Sequence, residues 1–206
     1  MDDVRVLSEL QLDALREVAN IGAAHAATAL SQMTERPTMI AVPEIKVMRL
    51  GAVSSLVGDS HQVVVAVSMH MLGDLTGRIL LMVPEDDTRL LCDLLLRRDR
   101  GTTIALEELE QSSFKETANI VGGAYLNALS DFLGMMLMPS VPSLVIDEVG
   151  SVFTSGQMKL GEADDFVLCV ETEFRFRDDG DRLTGHLLLL PDTASLTAIF
   201  DAIRVT

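Results

Sequence analysis

Leu12-Asp13-Ala14-Leu15-Arg16-Glu17-Val18-Ala19-Asn20-Ile21 is answered 99 positions later by Gln111-Ser112-Ser113-Phe114-Lys115-Glu116-Thr117-Ala118-Asn119-Ile120. Glu17 falls on Glu116, Asn20 on Asn119 and, further along, Pro43 on Pro142, all at one offset. A second correspondence sets Leu75-Thr76-Gly77-Arg78-Ile79-Leu80-Leu81 against Leu183-Thr184-Gly185-His186-Leu187-Leu188-Leu189, now 108 positions apart. Self-similarity at a fixed period marks a repeated structural unit. The growth of the offset assigns nine extra residues to the second copy, and Gly150, Gly156 and Gly161 place them within 150–165.

Each copy reads the same way. Apolar residues at helical spacing, with an Ala/Gly-rich middle, predict long helices over about 8–33 and 106–133. Runs rich in β-branched and alternating residues predict three strands per copy, near 38–50, 61–70 and 75–83, then near 136–149, 165–177 and 182–190. A closing helix follows each proline, over about 85–97 and 192–203; Asp192 is its expected N-cap in the second copy, and Glu85, Asp86 and Asp87 suit the positive end of the first. The fold class is therefore α+β: two α-β-β-β-α units, about 8–98 and 106–204, forming one pseudo-twofold domain across 1–206. The two long helices are expected on the same side of a continuous β-sheet.

Composition narrows the function. In 206 residues, 48% hydrophobic, there is no Trp, one Tyr and seven Phe, so Leu, Val, Ile, Ala and the 11 Met must build the core. Cys92 and Cys169 lie in apolar stretches and are expected as free thiols. The net charge of −15, with basic residues clustered only at Arg97, Arg98 and Arg100, argues against nucleic acid as a partner. Only three of the 16 basic residues are lysine, a composition suited to a high-salt cytoplasm. No stretch approaches the roughly 18 apolar residues of a membrane span, and no signal-peptide pattern opens the chain. A cytoplasmic protein is expected. His25, His61, His70 and His186 are scattered without metal-ligand spacing, so no metal of its own is expected. Neither a phosphate-cradling loop nor a nucleophile elbow is present.

What remains is the repeated helix pattern. A short polar residue, an acid four positions on and an amide three beyond it share one helical face: Asp13, Glu17 and Asn20, then Ser112, Glu116 and Asn119. A carboxylate and a carboxamide on a rigid helix make a polar blade that can enter another protein's active site.

The pattern Asp/Ser-x3-Glu-x2-Asn-x22-Pro, matched at Asp13-Glu17-Asn20-Pro43 and at Ser112-Glu116-Asn119-Pro142, resembles the signature of the CheC/CheX/FliY phosphatases of chemotaxis. The likeness extends through Asn20-Ile21-Gly22-Ala23 and Ala128-Leu129-Ser130-Asp131 and covers nearly the whole chain. Two intact pairs resemble CheC rather than CheX, which keeps one. The resemblance implies a protein phosphatase acting on the aspartyl phosphate of a CheY-type response regulator, in termination of the chemotaxis signal and adaptation. It implies that Asn20 and Asn119 orient the attacking water and that Glu17 and Glu116 pair with a receiver lysine. Asp13 and Ser112 are expected to support them through local hydrogen bonds, with Pro43 and Pro142 shaping the adjacent strand. No cofactor of its own is implied; Mg2+ belongs to the receiver. The deamidase CheD is an implied second partner, touching the segment around Val149 to Asp165, and a non-catalytic adaptor for CheD is the alternative function. Family members carry glycine four residues after the first amide, where this chain has Ala24; Gly123 holds that place in the second copy.

Overall fold

The computed structural model describes residues 9–154, 165–176 and 182–205. The first half runs α1 (Glu9–Thr34), β1 (Thr38–Ala41), β2 (Ile45–Arg49), α2 (Leu50–Val57), β3 (Val63–Gly73), β4 (Gly77–Pro84) and α3 (Glu85–Leu95). The second runs α4 (Glu108–Leu133), β5 (Leu137–Pro139), β6 (Ser143–Glu148), α5 (Val149–Thr154), β7 (Phe166–Phe176), β8 (Arg182–Pro191) and α6 (Thr193–Val205). The element order is the same in both, but it is richer than three strands between two helices. The expected strands 38–50 and 136–149 are each broken in two, with Pro43 and Pro142 in the breaks. Proline has no N–H to give a ladder and holds φ near −65°, so it interrupts pairing and is tolerated at the sheet's edges, where these strands lie.

The short helices α2 and α5 were not anticipated either. Leu50, Val53 and Val57, with Val149 and Val152, are buried at helical spacing against the sheet. Such short apolar runs do not distinguish strand from helix by pattern alone. The segment expected to hold the extra residues of the second copy lies largely outside the described residues.

All strand pairings are antiparallel within one eight-stranded sheet, ordered β1-β7-β8-β4-β3-β5, with β2 also on β7 and β6 also on β3. The halves exchange edges. β1 and β2 of the first pair with β7 of the second, while β5 and β6 of the second pair with β3 of the first. They meet at a central seam where Leu80 faces Leu188 and Leu81 faces Leu187 across β4 and β8. Side chains alternate across the sheet: Ile79, Leu81 and Leu187 enter a core beneath α1, α3, α4 and α6, and Leu80, Met82 and Leu188 enter a second core beneath α2 and α5. Burial on both faces explains why β4 and β8 read as unbroken apolar runs.

The long helices pack against each other over the first core. A Cβ on Gly22 would lie 2.9 Å from the Cα of Tyr125, and one on Gly122 would lie 2.6 Å from Cε of Met69. Gly22 thus lets backbone meet backbone, and Gly122 admits the sheet side chains Met69 and Ile79. Both cysteines are free and buried, and burial pushes each thiol up to about 12, far from a reactive thiolate at neutral pH. Asp192 caps α6 as expected, its Oδ1 accepting from the Ser195 N–H at 2.8 Å.

A part-buried polar network fixes the start of α4. Arg98 Nη1 donates to Glu110 Oε1 at 2.5 Å and to Thr103 Oγ1 at 3.4 Å. Asp93 accepts from the backbone of Gly101 at 2.7 Å and of Thr103 at 2.8 Å. Glu110 also completes a capping box with Glu107, whose N–H donates to it at 3.1 Å.

Gly22→Ala is expected to cost about 1–3 kcal/mol in urea unfolding, because the new methyl meets backbone rather than a flexible side-chain end. The guanidinium of Arg98 holds the Glu110 carboxyl below its ordinary value. Its stabilisation is thus fully present above the unfolded pKa and is lost as pH falls through the lower folded value. Glu110→Gln should cost about 1–3 kcal/mol at pH 7, and the cost should shrink as acid protonates the wild-type carboxyl. A pH-independent difference would show that the pair's charge is irrelevant.

Candidate functional site

Burial on the long helices sorts the polar residues outward. On α1, Leu15, Val18, Ala19 and Gly22 are buried, so Glu17 and Asn20 between them are exposed. On α4, Phe114, Thr117, Ala118 and Val121 are buried; Glu116 is exposed and Asn119 half-buried. None of these four side chains makes a hydrogen bond or ion pair with the described residues. Each acid and amide therefore stands free on a helix whose opposite face is locked into the core. That is the state a contact residue needs before its partner arrives.

The supporting residues behave differently from the expectation. Asp13 Oδ1 accepts from Arg16 Nη1 at 2.6 Å, one turn along an exposed surface, and neither Glu17 nor Asn20 takes part. The Ser112 hydroxyl bonds none of the described residues. Local hydrogen bonds thus do not brace the acid and amide; the helix backbone does. Pro43 is exposed and Pro142 half-buried, each in the break between two edge strands.

The glycine that distinguishes the second copy is not required by packing. A Cβ on Gly123 would come no closer than 3.9 Å to Cγ of Pro139, an ordinary contact. A helix-interior glycine costs about 0.5–1 kcal/mol against alanine, and nothing in the packing of α4 offsets that cost at Gly123. Ala24, the first-copy counterpart, is exposed.

Sequence reasoning missed the surroundings of Glu116. Met33 at the end of α1, Leu95 at the end of α3, and Ser112 and Ser113 of α4 line a cleft of ≈ 270 Å³ with it. Ser113, three residues before Glu116 on the same helical face, was the one legible hint; Met33 and Leu95 arrive only through tertiary packing. Among the described residues no group of three or more His, Cys, Asp or Glu side chains converges as a metal site, and no helix is long and apolar enough to cross a membrane. The segment expected to meet CheD is described only at Val149–Thr154 and Asp165.

Comparison with known proteins gives the same direction. The CheC-like family model matches residues 10–47, which contain Asp13, Glu17, Asn20 and Pro43. The CheY-P phosphatase CheC of Bacillus subtilis (strain 168) is 31% identical over 96% of this chain and 95% of its own length. The flagellar motor switch phosphatase FliY of the same organism is 27% identical over 71% of this chain, which spans 38% of that relative. The crystal structure of Thermotoga maritima FliY superposes with a TM-score of 0.81 at 22% identity, covering 97% of this chain and 98% of that one. Near-complete coverage of both chains at 31% identity, on this fold, decides the matter: the chain belongs to the CheC-like family.

Proposed function

We propose that this chain is a cytoplasmic phosphatase that hydrolyses the aspartyl phosphate of a CheY-type response regulator, using Asn20 and Asn119 to aim the attacking water. The observation that carries this reading is the pair of outward, unengaged acid–amide faces on two rigid helices. The B. subtilis relative's description as a CheY-P phosphatase supplies the substrate class.

The chemistry asks little of the protein beyond placement. A receiver brings its own Mg2+ and lysine to the phosphoryl oxygens. Water attacks phosphorus in line, the bond from phosphorus to the aspartyl oxygen breaks, and inorganic phosphate leaves an ionised aspartate. The Asn carboxamide oxygen accepts a hydrogen bond from that water without bringing a negative charge towards the phosphoryl group. Glu17 and Glu116 pair with the receiver's lysine and fix the docking geometry. Positioning of this kind is worth about 2–4 kcal/mol, or about 30- to 1000-fold in rate. CheD belongs to the proposal as a second partner only; an adaptor acting solely through CheD would leave the phospho-receiver's lifetime unchanged.

The test follows decay of a phosphorylated CheY-type receiver in Mg2+ at low and high salt. The wild type is expected to shorten the lifetime, and Asn20→Ala/Asn119→Ala to return it to the spontaneous value. Asn119→Ala should cost more turnover than Asn20→Ala, since the glycine that family members carry four residues after the amide is kept at Gly123 and replaced at Ala24; equal losses or the reverse order reject that ranking. No acceleration by the wild type rejects the enzymatic reading.

A further inference from the structure

The turns that follow α1 and α3 border a cavity of ≈ 160 Å³. Arg36 lines it from the first turn, Arg98 and Arg100 from the second, beside Leu90 and Leu94. Its carboxylates are Asp93 and Asp99. Asp93, 2% exposed, turns both oxygens to the backbone, Oδ2 accepting from the Gly101 N–H and Oδ1 from that of Thr103. Those dipoles meet its charge, so guanidinium charge is in excess at the cavity. Like charges gathered at close range repel, and an anion shared among them turns the repulsion into attraction.

Both turns are pinned. The Arg36 carbonyl accepts from the hydroxyls of Thr34 at 3.3 Å and Thr38 at 3.2 Å, and both threonines are buried. Glu35 and Arg97, immediately before Arg36 and Arg98, take left-handed backbone with φ of 55° and 56°, and their side chains pair at 2.9 Å. A helix end in that conformation ordinarily takes glycine. The second copy does so at Gly134, with φ of 65°, and Met135 then stands where Arg36 does. The first copy keeps a charged residue at the strained position, and that residue ties the two arginine-bearing turns together.

The side-chain bonds of Arg98, to Glu110 and Thr103, both use Nη1, and a guanidinium carries five N–H donors. A carboxylate engages one guanidinium in a plane, whereas a tetrahedral phosphate offers oxygens in several directions and up to two charges. It therefore suits guanidinium groups that arrive from separate turns. We propose that the cavity binds a phosphate group, as inorganic phosphate or on a small phosphomonoester, held by Arg36, Arg98 and Arg100. The three arginines lie outside both acid–amide faces, so the site stands independently of the phosphatase reading.

Calorimetric titration of the full chain at constant ionic strength, with inorganic phosphate and with glycerol phosphate, tests the site. Saturable binding of at least one is expected, and the tighter of the two identifies the source of the phosphate group. Arg36→Gln and Arg100→Gln are each expected to weaken it about tenfold or more. Arg100 is exposed, so its replacement leaves the fold alone, and thermal melts verify both variants. Arg182→Gln removes the same charge from an exposed side chain outside the cavity and is expected to change the affinity by less than about twofold. No saturable binding of either compound up to about 10 mM overturns the proposal. So does binding that the two cavity variants leave unchanged, or that Arg182→Gln weakens as much as they do.

Discussion

The seam between β4 and β8 joins the two halves along the middle of the sheet, from Gly77 opposite Pro191 to Met82 opposite His186. Everything else hangs from it. Because the seam is apolar on both sides, it demands cover on both faces, which four longer helices supply above and α2 and α5 below. The cover above brings α1 and α4 so close that Gly22 has no room for a side chain against Tyr125. The tight crossing in turn spends the inner faces of both helices on packing and leaves the acid and amide of each with nowhere to point but outward. Site geometry is therefore a by-product of how the core closes.

Much of this was legible in the chain. The long helices showed through apolar spacing, Asp192 through its capping chemistry, and the Glu/Asn pairs through their return at one offset together with the distal prolines. Periodicity failed where elements are short: Leu50–Val57 and Val149–Thr154 carry too few turns to separate helix from strand. Pro43 and Pro142 were read as shaping a strand, although a residue without an N–H in an expected strand was already a reason to break it. The edge exchange was out of reach, because alternation says which face a side chain takes and nothing about which neighbour its strand chooses. The cleft around Glu116 was out of reach for a similar reason: its walls come from three helices that only tertiary packing brings together.

The two acid–amide faces are similar in plan and unequal in detail. In the first, Asp13 is occupied by Arg16 and Ala24 fills the place of a glycine. In the second, the Ser112 and Ser113 hydroxyls bond none of the described residues, glycine stands at 123, and the helix start is held by the part-buried Arg98–Glu110 pair. Apart from Glu110, these differences lie at exposed or half-buried positions; the inner faces differ as well, Phe114 standing where Leu15 does and Tyr125 where Ala26 does.

The exchange of edges has a bearing on how such a molecule is assembled. A polypeptide holding only the first half would carry β3 without its outer neighbours and β4 with one bare rim, while its own β1 and β2 had no strand to join. A second copy of the same half offers all the missing partners in mirrored order, by the self-complementary logic of a two-fold dimer. The covalent link between α3 and α4 thus turns what would be a concentration-dependent association into a single-chain event, and it lets each half present an acid–amide face of its own.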